Sequence, residues 1–269
     1  MMRLIGAPEE LPAGSHSLSL YASPREAADQ MASFLKGARE LGQPALVLTD
    51  NDSMMPLYRE AVAKTVPELM DSFRRIPGSH TYETPEGRRP VPAALEFAAS
   101  HPEGASLCGD TIPSILNRNS LASVLAYEDW FDTLRPFYHR GLCPYDLGRI
   151  PVERAPEALE RLAGAHTHAV LSNDPSPGVR FLQLLVLPHV ENPPSEHLGW
   201  LAQAVEYGLI QEEPGERSVG LTPRGADFAR ALFHLPEYAR RADELARRRQ
   251  RSGTDRDAAV ERRTERPEE

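Results

Sequence analysis

Histidine and cysteine are the residues of this sequence best suited to metal binding or redox chemistry, because both bind metals and the cysteine thiol can also be oxidised. His166 and His168 alternate on a predicted strand, which would place both imidazoles on one face and could begin a metal site. No third cysteine or histidine stands near them in the sequence, so we expect a structural or exposed pair and no bound metal. Cys108 and Cys143 each lie in a predicted strand, where they could be neighbours. A redox switch needs an accessible thiol of low pKa. We favour the interpretation that both cysteines serve as small, buried apolar side chains.

A catalytic constellation is not evident in the sequence. It contains no Gly-x-Ser-x-Gly motif and no Ser-His-Asp arrangement. Tyr127-Glu128-Asp129 offers neighbouring carboxylates on a predicted helix, and such paired acids usually form a solvated face. We therefore predict that the protein is not an enzyme and needs no cofactor, with a nucleotide-binding enzyme as the outside alternative.

The junction between the first long strand and the first long helix is where a P-loop protein holds phosphate. That cradle needs glycines, whose backbone N–H groups surround the phosphate, and a lysine for its outer oxygens. The segment Tyr21–Glu26 reads Tyr-Ala-Ser-Pro-Arg-Glu, with no glycine and no lysine, and Glu26 would repel phosphate. The only lysines of the chain are Lys36 and Lys64, and the P-loop motif occurs nowhere. The sequence thus argues against ATP hydrolysis by that mechanism.

Strand and helix alternate along the first 175 residues, which predicts an α/β fold with a mostly parallel sheet covered by helices on both faces. Strands are predicted at 17–21, 45–49, 105–109, 141–145 and 167–171. The first of these alternates polar and apolar residues, the pattern of a half-buried strand.

Ligands of open α/β sheets bind at the carboxyl ends of the strands. Several polar side chains should lie near that edge or on a neighbouring helix, and they form a predicted small-molecule pocket. These ligand-binding candidates are Tyr21, Asp50, Asp110, Tyr127, Glu128, Cys143, Tyr145 and Asp146. The alternative is that Tyr127-Glu128 and Tyr145-Asp146 simply cap and lock the fold.

A second unit is predicted at 179–238, after a turn-rich segment that ends at Gly178. Two helices, a hairpin at 211–221 and a further helix behind Thr222 give the outline of a small α+β module of the winged-helix kind. The segment 239–269 is rich in charge and is predicted to be helical and then disordered.

The output of this second unit has two interpretations. A DNA-binding regulator would use Arg217, Arg224 and Arg230 with the Arg-rich tail, although no Arg or Lys stands between Glu191 and Glu213. Alternatively, the helix at 195–211 contacts a protein partner through Trp200 and Tyr207. Both remain open at this point.

An ordered set of short stretches resembles the MEDS domain, the sensory domain named after methanogen, methylotroph and dichloromethane-responsive regulators. The matching pieces are Gly14-Ser15-His16, Phe34-Leu35-Lys36-Gly37-Ala38, Phe97-Ala98-Ala99-Ser100-His101-Pro102, Gly109-Asp110, Tyr127-Glu128 and Leu142-Cys143-Pro144-Tyr145-Asp146. They span roughly residues 14–173.

The resemblance implies a fold similar to the RecA/KaiC-type ATPases without their P-loop, used to sense small molecules or relay signals. Family members are commonly fused to DNA-binding helices or to kinase-like ATPase modules. This chain departs from the pattern after Gly109-Asp110, where relatives often carry a Trp. It also lacks the Asp-x-Gly-x-Gly box of a histidine-kinase-type ATPase, which argues against the anti-sigma kinase arrangement.

Composition sets the remaining expectations. The formal net charge is −9, which disfavours a protein that coats nucleic acid with its whole surface. Two cysteines, no visible secretory signal and no long apolar run predict a cytoplasmic protein without membrane contact. We predict a 1–13 extension, a 14–175 sensory domain and the two C-terminal segments above, acting in sensing and transcriptional regulation. A protein–protein adaptor is the alternative, and homodimerisation is left open.

Overall fold

The structure is a computed structural model that describes residues 1–49, 53–75, 96–97, 99–110, 124, 128–129, 131, 139–212 and 218–233, with only the backbone at 74, 75 and 110. Eight strands form one sheet in which every pair of neighbours is parallel. These strands are β1 (Met2–Leu4), β2 (Ser15–Tyr21), β3 (Ala45–Thr49), β4 (Phe73–Arg75), β5 (Ser106–Asp110), β6 (Arg140–Asp146), β7 (His168–Val170) and β8 (Val190–Glu191). Their order across the sheet is β4-β3-β5-β6-β2-β7-β1-β8.

The predicted α/β class is confirmed, with helices on both faces of the sheet. The helices are α1 (Pro24–Glu40), α2 (Met55–Thr65), α3 (Ala155–Ala165), α4 (Pro177–Gln183), α5 (Ser195–Glu206) and α6 (223–233). Neighbouring residues of β3 show the two faces: Val47 packs in the core that contains α1 and α2, whereas Leu46 and Leu48 pack in the core that contains α3. The described residues include no helix long and apolar enough to cross a membrane.

Strand β2 lies near the middle of the sheet, and the prediction that it is half-buried is wrong. All seven of its residues are buried, including Ser15, Ser17 and Ser19. The Ser19 hydroxyl donates to Oε1 of Gln30 on α1 at 2.5 Å, so this polar residue is satisfied inside the protein. Alternation of small polar and apolar residues here reflects a strand covered on both faces.

The N-terminal residues and the segment before α5 both extend the main sheet. β1 lies between β7 and β8, so the chain begins inside the sheet. The fully buried Arg140 at the start of β6 fixes the N-terminal segment, donating to the carbonyls of Glu9 and Leu11 at 3.4 Å each. β1 and β8 complete the sheet on the side opposite β4.

The C-terminal elements pack against the hydrophobic core on the α3 face of the sheet. β9 (Ile210–Glu212) and β10 (Val219–Leu221) pair antiparallel, which confirms the predicted hairpin. The Thr222 hydroxyl accepts from the N–H of Gly225 at 3.0 Å and caps α6, as predicted. Phe228 of α6 meets Phe181 of α4 edge to face, with ring centroids 5.3 Å apart. These elements share one hydrophobic cluster with β2 and α3.

Candidate functional site

Four buried side chains with metal-binding or acid–base chemistry converge on one point inside the protein: His16, Glu128, Cys143 and His166. One donor atom from each lies within 4.8 Å of all the others. Glu128 Oε2 is 3.1 Å from His16 Nε2 and 3.2 Å from His166 Nε2. His16 Nε2 is in turn 3.4 Å from Cys143 Sγ. We call these four residues the buried cluster.

Parallel pairing of β2 with β6 brings two members of the buried cluster together. His16 lies opposite Gly141, and side chains two residues apart on a strand point to the same face, so Cys143 shares the face of His16. His166 is the residue that follows α3, immediately ahead of β7, and Glu128 comes from a helical position above the sheet. Residues remote in sequence therefore meet only because three strands and a helix are assembled.

Outer contacts hold the buried cluster in place. The Tyr145 hydroxyl donates to Oε1 of Glu128, leaving Oε2 directed at the two imidazoles. His166 Nδ1 lies 2.6 Å from the carbonyl oxygen of Leu162, which can only accept, so the Nδ1 proton donates there. Phe131 stacks on His16 with ring centroids 5.1 Å apart. Glu128, His166 and His16 are thereby each oriented by a neighbour outside the cluster.

Burial and charge have opposite effects on the carboxyl group of Glu128. Burial alone would raise its pKa, but the adjacent imidazoles of His166 and His16 lower the pKa well below its ordinary value. Burial raises the pKa of the Cys143 thiol, and the charge of Glu128 raises it further. Without a cation, the buried cluster thus holds an ionised carboxylate beside a neutral thiol.

The geometry limits what the buried cluster can do. His16, Glu128 and Cys143 have no solvent exposure and His166 has 5%. A substrate could not reach these atoms without opening the core, which argues against turnover at this place. The arrangement can share protons among its members or hold a metal ion.

The structure brings together three of the predicted ligand-binding residues, Glu128, Cys143 and Tyr145, but under the sheet face and not at its edge. Tyr21 packs in the hydrophobic core on the opposite face of the sheet. Asp146 stays at the end of β6, where it accepts from the N–H of Gly148 at 2.9 Å and pairs with Arg149. Burial raises the pKa of Asp146, against the opposing effects of these two partners.

The side chains of three further ligand candidates are not described by the structure. Asp50 and Tyr127 lie outside the described residues, and Asp110 is described only as the backbone end of β5, paired with Thr49. Whether these side chains bind a ligand stays a prediction.

Sequence reasoning missed His16 and His166 as partners of Glu128 and Cys143. The His166–His168 pair was considered, but the two imidazoles do not share a site: His168 is half-buried on β7, where its Nδ1 lies 2.9 Å from the Thr167 hydroxyl. The available signal was Gly14-Ser15-His16, which leads into the central strand and belongs to the family-like stretches. Spacing alone could not join residues 16, 128, 143 and 166.

At the position of a phosphate cradle, the structure has a carboxylate of its own. Ser23 caps α1 by accepting from the N–H of Glu26 at 3.2 Å. The Glu26 carboxylate accepts from the N–H of Ala22 at 2.8 Å, from the N–H of Asn173 at 2.6 Å, and from the Ser172 hydroxyl. The N–H groups of Ala22 and Glu26, which could meet phosphate at the start of this helix, are thus already used by Glu26 and Ser23.

A cavity of about 440 Å³ opens beside Glu26, at the carboxyl ends of β1, β2 and β7. Its walls include Gly6 and Ala7 after β1, Arg25 and Asp29 on α1, and Asn173 and Asp174 after β7. Here β2 leads through α1 to β3 on one side of the sheet, whereas β7 leads through α4 to β8 on the other side, the kind of switch point where α/β sheets bind ligands. The predicted pocket at the sheet edge therefore has a counterpart, lined by residues other than those named from the sequence.

The candidates of the C-terminal unit lie at its surface. Tyr207 is 61% exposed, and Trp200 is half-buried, with the guanidinium carbon of Arg180 5.4 Å from its ring centroid. Arg224 is exposed, whereas Arg230 is paired with Asp227 and Glu153. Arg217 lies outside the described residues.

The fold is an all-parallel α/β sheet whose first long strand leads into a helix that holds a carboxylate where a P-loop protein holds phosphate. The model of the family MEDS (MEthanogen/methylotroph, DcmR Sensory domain) matches residues 15–167, more than half of the 269 residues. The chain belongs to the MEDS family. No curated protein matches it. All four members of the buried cluster lie within the matched range.

Proposed function

We propose that this protein is a non-enzymatic sensory and regulatory protein in which a small molecule bound in the edge cavity alters the position of the C-terminal unit. Membership of a sensory-domain family supports the sensory role. The observation that carries the proposal is that Asn173 and Asp174 line the cavity and lie three to four residues ahead of α4, the first helix of that unit.

The segment between β7 and α4 is tied to both sides of the proposed signal path. Ser172 and Asn173 donate to Glu26 of α1, and the Ser172 carbonyl accepts from Gln183 of α4 at 3.0 Å. The Asp174 carboxylate accepts from the N–H of Ser176 at 2.7 Å. A ligand that displaces these groups would change the start of α4 and, through Phe181, its contact with α6.

The cavity walls favour a neutral or cationic ligand. Among the described residues that line it are the carboxylates of Glu26, Asp29 and Asp174 but only one cation, Arg25. Arg25 is itself paired with Asp29 and Glu60. A phosphorylated or carboxylate ligand would therefore meet net negative charge.

Native mass spectrometry tests the sensory site. The purified protein is incubated with the small-molecule fraction of a cell extract, and bound mass is measured for the wild type, Ala7→Trp and Ala63→Trp. Ala7 lines the cavity, whereas Ala63 is exposed on α2 away from it. We expect a bound molecule on the wild type and Ala63→Trp and its loss from Ala7→Trp. Absence of bound mass, or retention by Ala7→Trp, would contradict the proposal.

The C-terminal unit could pass on the signal in two ways, by binding DNA or by binding a protein. Transcriptional regulation through DNA is what the family resemblance implies, and the exposed Arg224 supports it. A protein-binding adaptor is favoured by the exposed Leu198 (45%) on α5, a helix without Arg or Lys, and by the exposed Tyr207 (61%) at the C-terminal end of that helix.

Paired substitutions separate these outputs. Arg224→Ala should weaken retardation of genomic fragments in low-salt gel shifts if DNA is the target. The double change Leu198→Glu and Tyr207→Glu should abolish co-purification of a protein partner and leave any DNA retardation unchanged. No retardation at micromolar protein, with loss of a partner in the double variant, would exclude the DNA output.

A further inference from the structure

We infer that the buried cluster is a structural zinc site, with His16, Glu128, Cys143 and His166 as the four ligands. This inference is independent of the edge cavity and of the output of the C-terminal unit. It rests on donor types, donor spacing, charge balance and the contacts around the ligands.

The donor set is one that Zn²⁺ prefers: two imidazole nitrogens, one sulfur and one carboxylate oxygen. Ordinary zinc bond lengths place the corners of a tetrahedron roughly 3.3–3.6 Å apart. The distances from Glu128 Oε2 to the two Nε2 atoms are 3.1 and 3.2 Å, and His16 Nε2 to Cys143 Sγ is 3.4 Å. Three of the six donor pairs thus already stand close to tetrahedral spacing, and all six lie within 4.8 Å.

Two of these atoms are left without a hydrogen bond in the described part of the protein. Glu128 Oε2 and His166 Nε2 are buried and face each other, yet no hydrogen bond of ordinary geometry joins them. Because the Nδ1 proton of His166 is donated to Leu162, Nε2 is the ring atom that faces the carboxylate. A cation, either a proton on Nε2 or a metal ion, must therefore lie between these two buried atoms.

Charge balance favours a divalent metal over a proton. Zinc binding converts the Cys143 thiol to a thiolate, and the thiolate with the Glu128 carboxylate neutralises the two positive charges of Zn²⁺. A metal-free cluster must instead keep a carboxylate and an imidazolium away from water, which is costly for buried charges. Burial makes a free thiolate at Cys143 unfavourable. Bonding of the sulfur to zinc offsets this cost when the metal displaces the thiol proton, which is released to solvent.

The contacts outside the four ligands match those that orient zinc ligands. A ligating histidine usually donates its second ring N–H to a carbonyl, as His166 does to Leu162, and ligating carboxylates are themselves hydrogen-bonded, as Glu128 is by Tyr145. Four protein ligands with no exposed position make a closed site, which is structural and not catalytic. Zinc here would fasten the helical position of Glu128 to β2, to β6 and to the end of α3.

Elemental analysis and cobalt substitution of the full chain test this inference. Protein expressed with added zinc and then dialysed should contain one zinc per chain. Co²⁺ exchanged into the site should give the visible bands of tetrahedral cobalt and a near-ultraviolet thiolate-to-cobalt band. Cys143→Ser should remove the thiolate band and weaken zinc affinity at least about 100-fold, more than the loss of an outer contact does.

Cys108→Ser is the matched control, because Cys108 is the other buried cysteine and packs in the core on the opposite face of the sheet. It should keep one zinc and the thiolate band. If Cys143→Ser does not fold, Tyr145→Phe keeps all four ligands and should weaken zinc binding about 10–100-fold. A protein with neither zinc nor a cobalt signal would show that the cluster shares protons only. A signal that survives Cys143→Ser would place the metal elsewhere.

Discussion

Glu26 and Asn173 are 147 residues apart in the chain, and a 2.6 Å hydrogen bond from the Asn173 N–H to the Glu26 carboxylate joins them. This bond links the start of α1 to the segment that leads into the C-terminal unit. The same carboxylate accepts from Ala22 and Ser172, so a built-in anion occupies the start of the helix and holds the segment.

We expect Glu26→Ala to lower the free energy of unfolding by about 2 kcal/mol, because it leaves the donors of Ala22, Ser172 and Asn173 without their acceptor. Proteolysis within 172–176 should also become faster. Urea unfolding and limited proteolysis measure the two effects. Asp29→Ala, which removes an exposed acid one turn further along α1, is the control and should cost less than about 1 kcal/mol. Equal stability of the two variants would contradict the role of Glu26.

Arg140 is a buried cation held by neutral oxygen acceptors. It donates to the carbonyls of Glu9, Leu11 and Phe34 and to the Ser106 hydroxyl, at 3.3–3.4 Å, and lies over the Phe34 ring. Burial lowers its pKa to about 10.

Arg140→Met should therefore destabilise the protein by about 3 kcal/mol, since it fills similar space but leaves these acceptors buried and unpaired. Arg39→Met on the exposed face of α1 should cost less than about 1 kcal/mol, because only a surface pair with Glu68 is lost. Chemical denaturation compares the two. A small effect at Arg140 would mean that water replaces the guanidinium.

Gly225 and Gly199 test the packing of the C-terminal unit as a pair. A Cβ at Gly225 would overlap the carbonyl oxygen of Leu209, whereas a Cβ at Gly199 on α5 meets nothing within 4 Å. Gly225→Ala should thus destabilise by about 2–3 kcal/mol as α6 is pushed away. Gly199→Ala should stabilise by about 0.5–1 kcal/mol through helix propensity. Thermal unfolding of both variants should give shifts of opposite sign, and shifts of the same sign would refute this packing.

His168 gives the protein an acid-sensitive contribution to stability. Burial lowers its pKa below the ordinary value of 6.5, and the nearby Arg3 lowers it further, against the opposing effect of Glu191. At high pH neither the folded nor the unfolded chain is protonated here. As the pH falls below 6.5, the unfolded chain takes up a proton before the folded chain does, so stability declines until the pH reaches the folded pKa.

His168→Gln should therefore flatten the stability profile in the range just below pH 6.5. Urea unfolding at a series of pH values measures the slope. An unchanged slope would show that another group controls the acid response; His189, whose pKa burial also lowers, is the next to substitute.

The strands were predicted well because their apolar runs are local signals. Leu46, Val47 and Leu48 indicate a buried strand from three adjacent residues, and β3 is found there. The short β1, β4 and β8 were not predicted, because two or three residues carry little pattern and their pairing comes from neighbours remote in the chain.

The candidate site was less accessible to prediction. Glu128, Cys143 and Tyr145 were named from the sequence for an edge pocket, and the edge cavity in fact has other walls. Their actual neighbours His16 and His166 approach through strand register, which sequence spacing does not reveal.

The sequence by itself determined that this protein has an α/β sheet with no phosphate loop, since Tyr21–Glu26 lacks glycine and lysine and strand and helix patterns alternate. Only the tertiary structure decided what takes the place of that loop. It is the Glu26 carboxylate, which accepts from Ser172 and Asn173 in the segment after β7. Only the tertiary structure decided that His16, Glu128, Cys143 and His166 meet. Local patterns are set by contacts within a few residues, whereas these two sites are made by parallel pairing, which joins distant segments through crossover helices.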